Sequence, residues 1–242
     1  MATDCARCPL RRQPLFRPLA DKDLSFMQRF KVGELTVDAG TPIMMEGSSS
    51  PQLFTALRGM GLRYNTLSNG RRQVINFIYP GDFLGLQSAV MGEMQHSIEA
   101  TTRMTLCVFD RKDFYSLVGG NPELSYDIIW LAATEEHFLG EALATVGQRT
   151  AIERIAWALV RITQRCVASG IDDRGRAPFP FRQQDLADAL GLSLVHTNKT
   201  LARLRERQLA FWNDGMLAVL DVPALARIAG MELEEPRPRP LL

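Results

Sequence analysis

Two groups of residues carry chemistry by type and spacing. The first is thiol: Cys5 and Cys8 in the run Cys-Ala-Arg-Cys, with Cys107 far downstream. Thiolates exchange electrons and hold soft metals, and a close pair in a chain with only two further cysteines, Cys107 and Cys166, is no secreted disulfide scaffold. The pair points to metal or redox chemistry in a reducing compartment. The second group is polar and cationic: Val195, His196, Asn198 and Lys199, followed by Arg203, Arg205 and Arg207. On a helix, early polar side chains reach base edges while nearby cations hold phosphates. The sequence shows no nucleophile with its base, carboxylate dyad, phosphate-cradling glycine loop or histidine-rich metal motif, so no enzyme is expected. Of the histidines, His137 is expected in solvent. His96 could ligate haem iron but lacks a second axial partner. Cys166, on an apolar helix face, is expected to pack.

The elements that must position the second group are legible. Gln183 to Leu190, the turn Gly191-Leu192-Ser193, and Leu194 to Arg207 read as helix, tight turn, helix. Two helices crossing steeply need a small residue at the contact and a flexible one in the turn, and Ala187 and Gly191 stand there. Leu209 to Trp212 and Met216 to Leu220, joined by Asn213-Asp214-Gly215, read as a hairpin, which makes the unit winged. Gln183 joins the candidate DNA contacts. Ahead of the unit, Ala151 to about Val167 reads as a helix buried through Ile152, Ile155, Ala156, Leu159 and Ile162, and residues 169–180 read as a polar loop. Between Arg149 and Trp212 there are 11 Lys and Arg against 6 Asp and Glu, so a near-neutral chain hides a basic module.

The remainder reads differently. From Glu34 to about Phe114, short strands alternate with Gly, Pro, Asn and Asp, the pattern of an antiparallel sandwich or jelly roll. A turn at Leu67-Ser68-Asn69-Gly70-Arg71 separates two of them, and Cys107 lies on the last. From Glu123 to Gly147, Ile129, Ala132, Glu136, Leu139, Leu143 and Val146 recur at heptad spacing with one charged break. Such a stripe is either a dimer seam or packing within its own domain. The proline-containing end, Glu234 to Leu242, is expected to be disordered. The expected organisation is an N-terminal segment, 1–29; a jelly roll, 30–120; a long helix, 121–147; a winged helix-turn-helix, 148–230; and a tail, 231–242.

Over 242 residues, 28 Lys and Arg face 27 Asp and Glu, which excludes a uniformly basic coat and an acidic solvating tail. No apolar run is long enough for a membrane span, and the N-terminus, with Arg7, Arg11 and Arg12, lacks the core of a signal peptide. A cytoplasmic protein without membrane partners is expected.

In this order the elements resemble the catabolite-activator/FNR (Crp/Fnr) family of bacterial transcription regulators, over about Phe30 to Gly230. Asn69-Gly70-Arg71, Tyr79-Pro80-Gly81-Asp82-Phe83-Leu84-Gly85 and Phe181-Arg182-Gln183-Gln184-Asp185-Leu186-Ala187 carry the resemblance. It implies an α+β chain with a cyclic-nucleotide-binding-type β jelly roll, a long dimerisation helix and a winged helix-turn-helix. It further implies a homodimer on palindromic promoter DNA in contact with RNA polymerase, with Ile129, Ala132, Leu139, Leu143 and Val146 at the seam. Departures matter too. Cyclic-AMP-binding relatives hold sugar and phosphate with Gly-Glu-Leu and Arg-Ser segments, and here the matching residues are Gly85-Leu86-Gln87 and His96-Ser97. The lost carboxylate and guanidinium argue against cyclic AMP. Recognition positions that commonly carry Glu and Arg hold Val195 and Lys199. Oxygen-sensing relatives hold an iron-sulfur cluster with N-terminal cysteines and one late in the jelly roll; Cys5, Cys8 and Cys107 match in kind, one ligand short of four. A cluster, a redox dithiol or zinc site, and no role all stay open. So does a different class of protein, a ligand-binding sensor or adaptor whose helical part serves assembly only.

Overall fold

The computed structural model describes residues 3–242. The chain forms two units: Met1–Glu136 with Pro238–Leu242, and His137–Arg237.

The first unit begins with short 3-10 turns at Cys5–Arg7 and Pro9–Arg12, followed by helix α1 (Asp21–Phe30). Strands β1 (Lys31–Val37), β2 (Pro42–Met44), β3 (Gln52–Arg58), β4 (Gly61–Thr66), β5 (Arg72–Ile78) and β6 (Phe83–Leu84) lead to helix α2 (Leu86–Met91). Strands β7 (Ser97–Ala100) and β8 (Met104–Asp110) and helix α3 (Phe114–Gly120) complete it. The strands form two antiparallel sheets, ordered β1-β8-β3-β6 and β2-β7-β4-β5. β6 and β7 were not evident from the sequence; the first is only Phe83 and Leu84, too short to show a period.

Alternation along β8 decides what each sheet face touches. Leu106 and Val108 join Phe54, Ile98 and Met104 in one apolar cluster, whereas Cys107 and Phe109 join Met27 and Phe30 of α1 in another. Cys107 therefore belongs to the sheet face covered by the N-terminal segment. Gly81 adopts φ +92, and a Cβ there would lie 2.2 Å from the Phe16 ring, so the Tyr-Pro-Gly-Asp turn is the seat of that segment.

Helix α4 (Pro122–Gln148) runs across the boundary between the units. In the second unit come α5 (Ala151–Ala168), β9 (Arg176–Pro178), α6 (Gln183–Leu190), α7 (Leu194–Glu206), β10 (Ala210–Asn213), β11 (Met216–Val219) and α8 (Val222–Ala229). Thr150 and Glu153 form a capping box that starts α5, with Thr150 N–H donating to Glu153 Oε2 at 2.7 Å. Ile155, Ala156, Leu159 and Ile162 of that helix are buried as expected, and so is Cys166.

Three expectations need correction. The segment 169–180 is not wholly loop: β9 pairs with β11 and widens the hairpin into a three-stranded sheet. Nor is the tail disordered throughout. Pro240, Leu241 and Leu242 are buried in the first unit because apolar surface there outweighs the ordering of so short a segment. Val146 departs from the seam. It is half-buried beside Gly191, where an added Cβ would lie 3.3 Å from its Cγ1, because the last turn of α4 packs within the second unit.

Candidate nucleic-acid interface and thiol pocket

Helix α6 ends on Gly191 in the left-handed region, φ +63, which redirects the chain without a Cβ penalty. Ser193 then starts α7, its hydroxyl accepting from His196 N–H at 3.2 Å. Arg154 of α5 fixes the turn from below, donating through Nη1 to Leu190 O at 3.0 Å and through Nε to Arg149 O at 2.8 Å. Ala187 is fully buried at the crossing.

Thr197, Thr200 and Leu204 form the buried stripe of α7, so the residues between them are turned outward. Val195, His196, Asn198, Lys199, Arg203 and Arg205 are all exposed, as is Gln183 at the start of α6. At 100° per residue, Val195, Asn198, Lys199 and Ala202 lie along one line of the helix, flanked by His196 and Arg203 on one side and Arg205 on the other. Asn198, Arg205, Gln183 and Trp212 line one groove. The wing turns on Asp214 (φ 50) and Gly215 (φ 71), the two left-handed residues of a type I′ hairpin. Trp212 anchors it, donating through Nε1 to Phe179 O at 3.0 Å.

One candidate for the interface was missed. Arg182 is exposed and rigidly held at the start of α6, donating through Nε and Nη2 to the buried Asp185 carboxylate at 3.1 and 2.8 Å. The short spacing of Arg182 and Asp185 was its signal.

On α4, Ile129 is 64% exposed, Leu143 76% and Leu139 44%. Ala132 is also exposed. Large apolar side chains at heptad spacing, left in solvent by a single chain, form an unpartnered stripe.

In the first unit, Cys5, Cys8 and Cys107 line one pocket with Lys31. Burial raises the Cys5 thiol and pushes Cys107 up to about 11, against the pull of Lys31, so both stay protonated near neutrality. Lys31 Nζ donates to Thr3 O and to Glu34 Oε1, each at 2.7 Å. Among the described residues, no three His, Cys, Asp or Glu side chains converge closely enough to hold a metal ion.

The segments matching those that hold a cyclic nucleotide in relatives are differently equipped. Gln87 Oε1 accepts from Gln95 N–H at 3.1 Å. His96 is buried, and desolvation, then the Arg63 charge, push its pKa down to about 4. Arg63 itself pairs with Glu135 of α4 at 3.0 Å and donates to Phe83 O at 3.1 Å. His137 is exposed.

A jelly roll, a long helix with an apolar stripe and a winged helix-turn-helix define the class: a DNA-binding regulator of transcription with a separate jelly-roll domain. Comparison with known proteins agrees. Residues 34–121 match the cyclic nucleotide-binding domain model and residues 153–228 the Crp-like helix-turn-helix domain model. The nitrogen fixation regulation protein FixK of Rhizobium meliloti is 31% identical over 182 residues, 74% of this chain and 78% of that protein. FixK of Bradyrhizobium diazoefficiens is 26% identical over 93% of each chain. The transcriptional activator FnrL of Cereibacter sphaeroides is 25% identical over 89% of this chain and 84% of its own. The structure of FixK2 from Bradyrhizobium japonicum superposes with a TM-score of 0.74 at 22% identity, covering 83% of this chain and 98% of that one. The chain belongs to the Crp/Fnr family of transcription regulators. It is a helix-turn-helix DNA-binding protein and not an enzyme. Among the described residues, no helix is long and apolar enough to cross a membrane.

Proposed function

We propose that the protein acts in the cytoplasm as a homodimer, joined along Ile129, Ala132, Leu139 and Leu143, that reads a two-fold symmetric promoter site through α7. The carrying observation is the exposed polar and cationic face of α7, raised on a buried stripe and placed beside the wing. Val195 offers methyls to a thymine methyl. Asn198 has the amide geometry for adenine N6 and N7. Lys199 donates to guanine O6 or N7, or to a phosphate. Arg203, Arg205 and His196 flank these and supply backbone contacts. Val146 is left out of the seam. Contact with RNA polymerase rests on family membership.

Sensing belongs to the first unit. Its outer apolar cluster contains Cys107 and Phe109 together with Leu124 and Ile128 of α4, so a change at the thiols repacks the start of the helix that leads to the DNA-binding unit. An iron-sulfur cluster would need a fourth donor and a convergence of thiols that these residues do not present, and no step here passes through one. Thiol redox chemistry fits better. Cyclic AMP is not the effector in this reading, since His96 is neutral and Gln87 has its oxygen engaged.

The test is binding to duplex DNA as a function of salt, followed by selection from random duplexes. Log affinity that falls linearly with log salt, together with an enriched inverted repeat whose half-sites lie about 34 Å apart, supports the reading. Salt-insensitive or absent binding favours the adaptor.

A further inference from the structure

The end of the chain returns to the first unit. Arg17 N–H donates to Arg239 O at 2.9 Å and Arg239 N–H to Leu15 O at 2.7 Å, so the tail pairs like a strand with the N-terminal segment. Arg239 Nη1 donates to Asp82 Oδ1 at 3.1 Å, with both side chains largely covered. Asp82 is fixed in turn by Tyr79 N–H at 2.9 Å. Leu241 and Leu242 are 7% and 5% exposed within the cluster that holds Cys107 and Phe109.

Leu242 makes the most telling contact. Thr55 Oγ1 donates to Leu242 O, and Thr55 is the β3 residue directly opposite Cys107 on β8. Cys5, Cys8, Cys107, Leu241 and Leu242 all line one pocket, whose lining is almost wholly apolar carbon apart from the thiols, Thr55 and two cations. Pro236, Pro238 and Pro240 restrict the free tail, which lowers the entropy lost when it docks. A hydrophobic anchor, a covered ion pair, two backbone bonds and the bond from Thr55 to Leu242 O together make a seat, where composition alone predicted disorder.

We propose that the C-terminal tail is a built-in ligand of the thiol pocket: while Pro238–Leu242 is seated the thiols are shielded, and any group larger than a proton attached to Cys107 expels it. Linkage is reciprocal, so what the tail does to the thiols the thiols do to the tail. The consequence reaches the DNA-binding unit. His137–Arg237 is joined to the first unit through α4 at one end and, while the tail is seated, through the tail at the other. Expulsion frees one of those two attachments. The trigger is a soft carbon electrophile: the Cys107 sulfur bonds to its carbon, the leaving group departs with the bonding pair, and the thiol proton passes to solvent, with no change of oxidation state.

The experiment needs no DNA, so its failure is separate from failure of the DNA-binding reading. The reduced full chain and a chain ending at Arg237 are treated with iodoacetamide, and each cysteine's rate is read by peptide mass mapping. Cys107 should react at least tenfold faster in the shortened chain, while Cys166, buried in the other unit, keeps its rate and reports any general loosening. Added peptide Pro-Arg-Pro-Leu-Leu should restore protection. In the full chain, alkylating the pocket thiols should speed deuterium exchange of the Arg239 amide, which donates to Leu15 O while the tail is seated, by a similar factor. Arg239→Ala, which leaves both leucines in place, should give intermediate rates for both readouts if shortening perturbs the fold. Equal Cys107 rates with and without the tail, or exchange of the Arg239 amide indifferent to the state of the thiols, would overturn the proposal.

Discussion

The two units expose their candidate functional groups in opposite ways. On α7 the side chains that would meet DNA stand in solvent, charged or polar, around a buried stripe that does nothing but hold them. In the first unit the buried titratable groups Cys107 and His96 are uncharged: Cys107 is held protonated, and His96 is neutral because burial and Arg63 oppose its charge. A surface that recognises a polyanion must offer cations before the partner arrives. A sensor works the other way, keeping its reactive groups desolvated so that one chemical change costs enough packing to move a helix. Bringing a function to DNA and withholding it from solvent are thus two tasks given to two folds.

The strongest way to break this comparison lies where both units share an element. If α4 pairs with a second copy, burying Leu139 and Leu143 contributes about 1.5 to 3 kcal/mol for each side chain. Replacing both by Asp puts charges in the seam from both subunits. Sedimentation should then show monomers at micromolar concentration, and DNA affinity should fall with dimerisation. A double mutant that stays dimeric would make the stripe something other than a seam, and α4 would no longer connect sensing to a two-fold DNA site.

A smaller effect sharpens the claim that the sensor's groups are held neutral. His96 titrates near 4 in the folded chain against about 6.5 when free, so the unfolded chain binds more protons between those values. Stability is unpenalised above about 6.5 and falls as pH drops toward 4, by as much as about 3 kcal/mol at about 1.4 kcal/mol per unit. Arg63 drives the shift beyond burial, while Glu46 opposes it. His96→Gln should remove that part of the acid loss, read as the difference between wild-type and variant urea midpoints from pH 7 to 4. Parallel pH curves would mean that His96 charges freely in the folded chain.

Legibility in the sequence followed the same division. The helix-turn-helix was visible because its determinants sit within about two dozen consecutive residues, and the periods of α6 and α7, the glycine turn and the Asn213-Asp214-Gly215 hairpin are local signals. The jelly roll was visible as strands separated by turns, although β6 and β7, like β9 beside the wing, were too short to carry a period of their own. The thiol pocket was only half legible. Cys5, Cys8 and Cys107 could be named, but their setting joins residues far apart along the chain: Lys31 at the start of β1, Thr55 on β3, and Leu241 and Leu242 of the tail. Contacts so distant in sequence leave no periodic trace. Alternation along β8 did hold a usable sign, since Cys107 and Phe109 share a parity opposite to Leu106 and Val108. Two leucines ending a proline-rich tail were a second.

The finest test concerns the exposed side of the comparison, because a preformed surface must divide its labour between reading bases and holding phosphates. Asn198 lies on the outward line of α7 and Arg205 at its flank, yet both border the same groove, so position alone does not separate their roles. Energetics does. If Asn198 pairs with an adenine edge, Asn198→Ala costs about 1 to 3 kcal/mol at a single base pair and relaxes the preference there, leaving the salt dependence unchanged. If Arg205 neutralises a phosphate, Arg205→Ala weakens binding to every sequence alike and flattens the plot of log affinity against log salt by about one unit. Measuring both variants against the selected site and against each single-base variant of it, at several salt concentrations, resolves the two signatures. A variant of Asn198 that keeps its base preference but loses salt slope would exchange the two assignments, moving base readout from the centre of the helix face toward its edge.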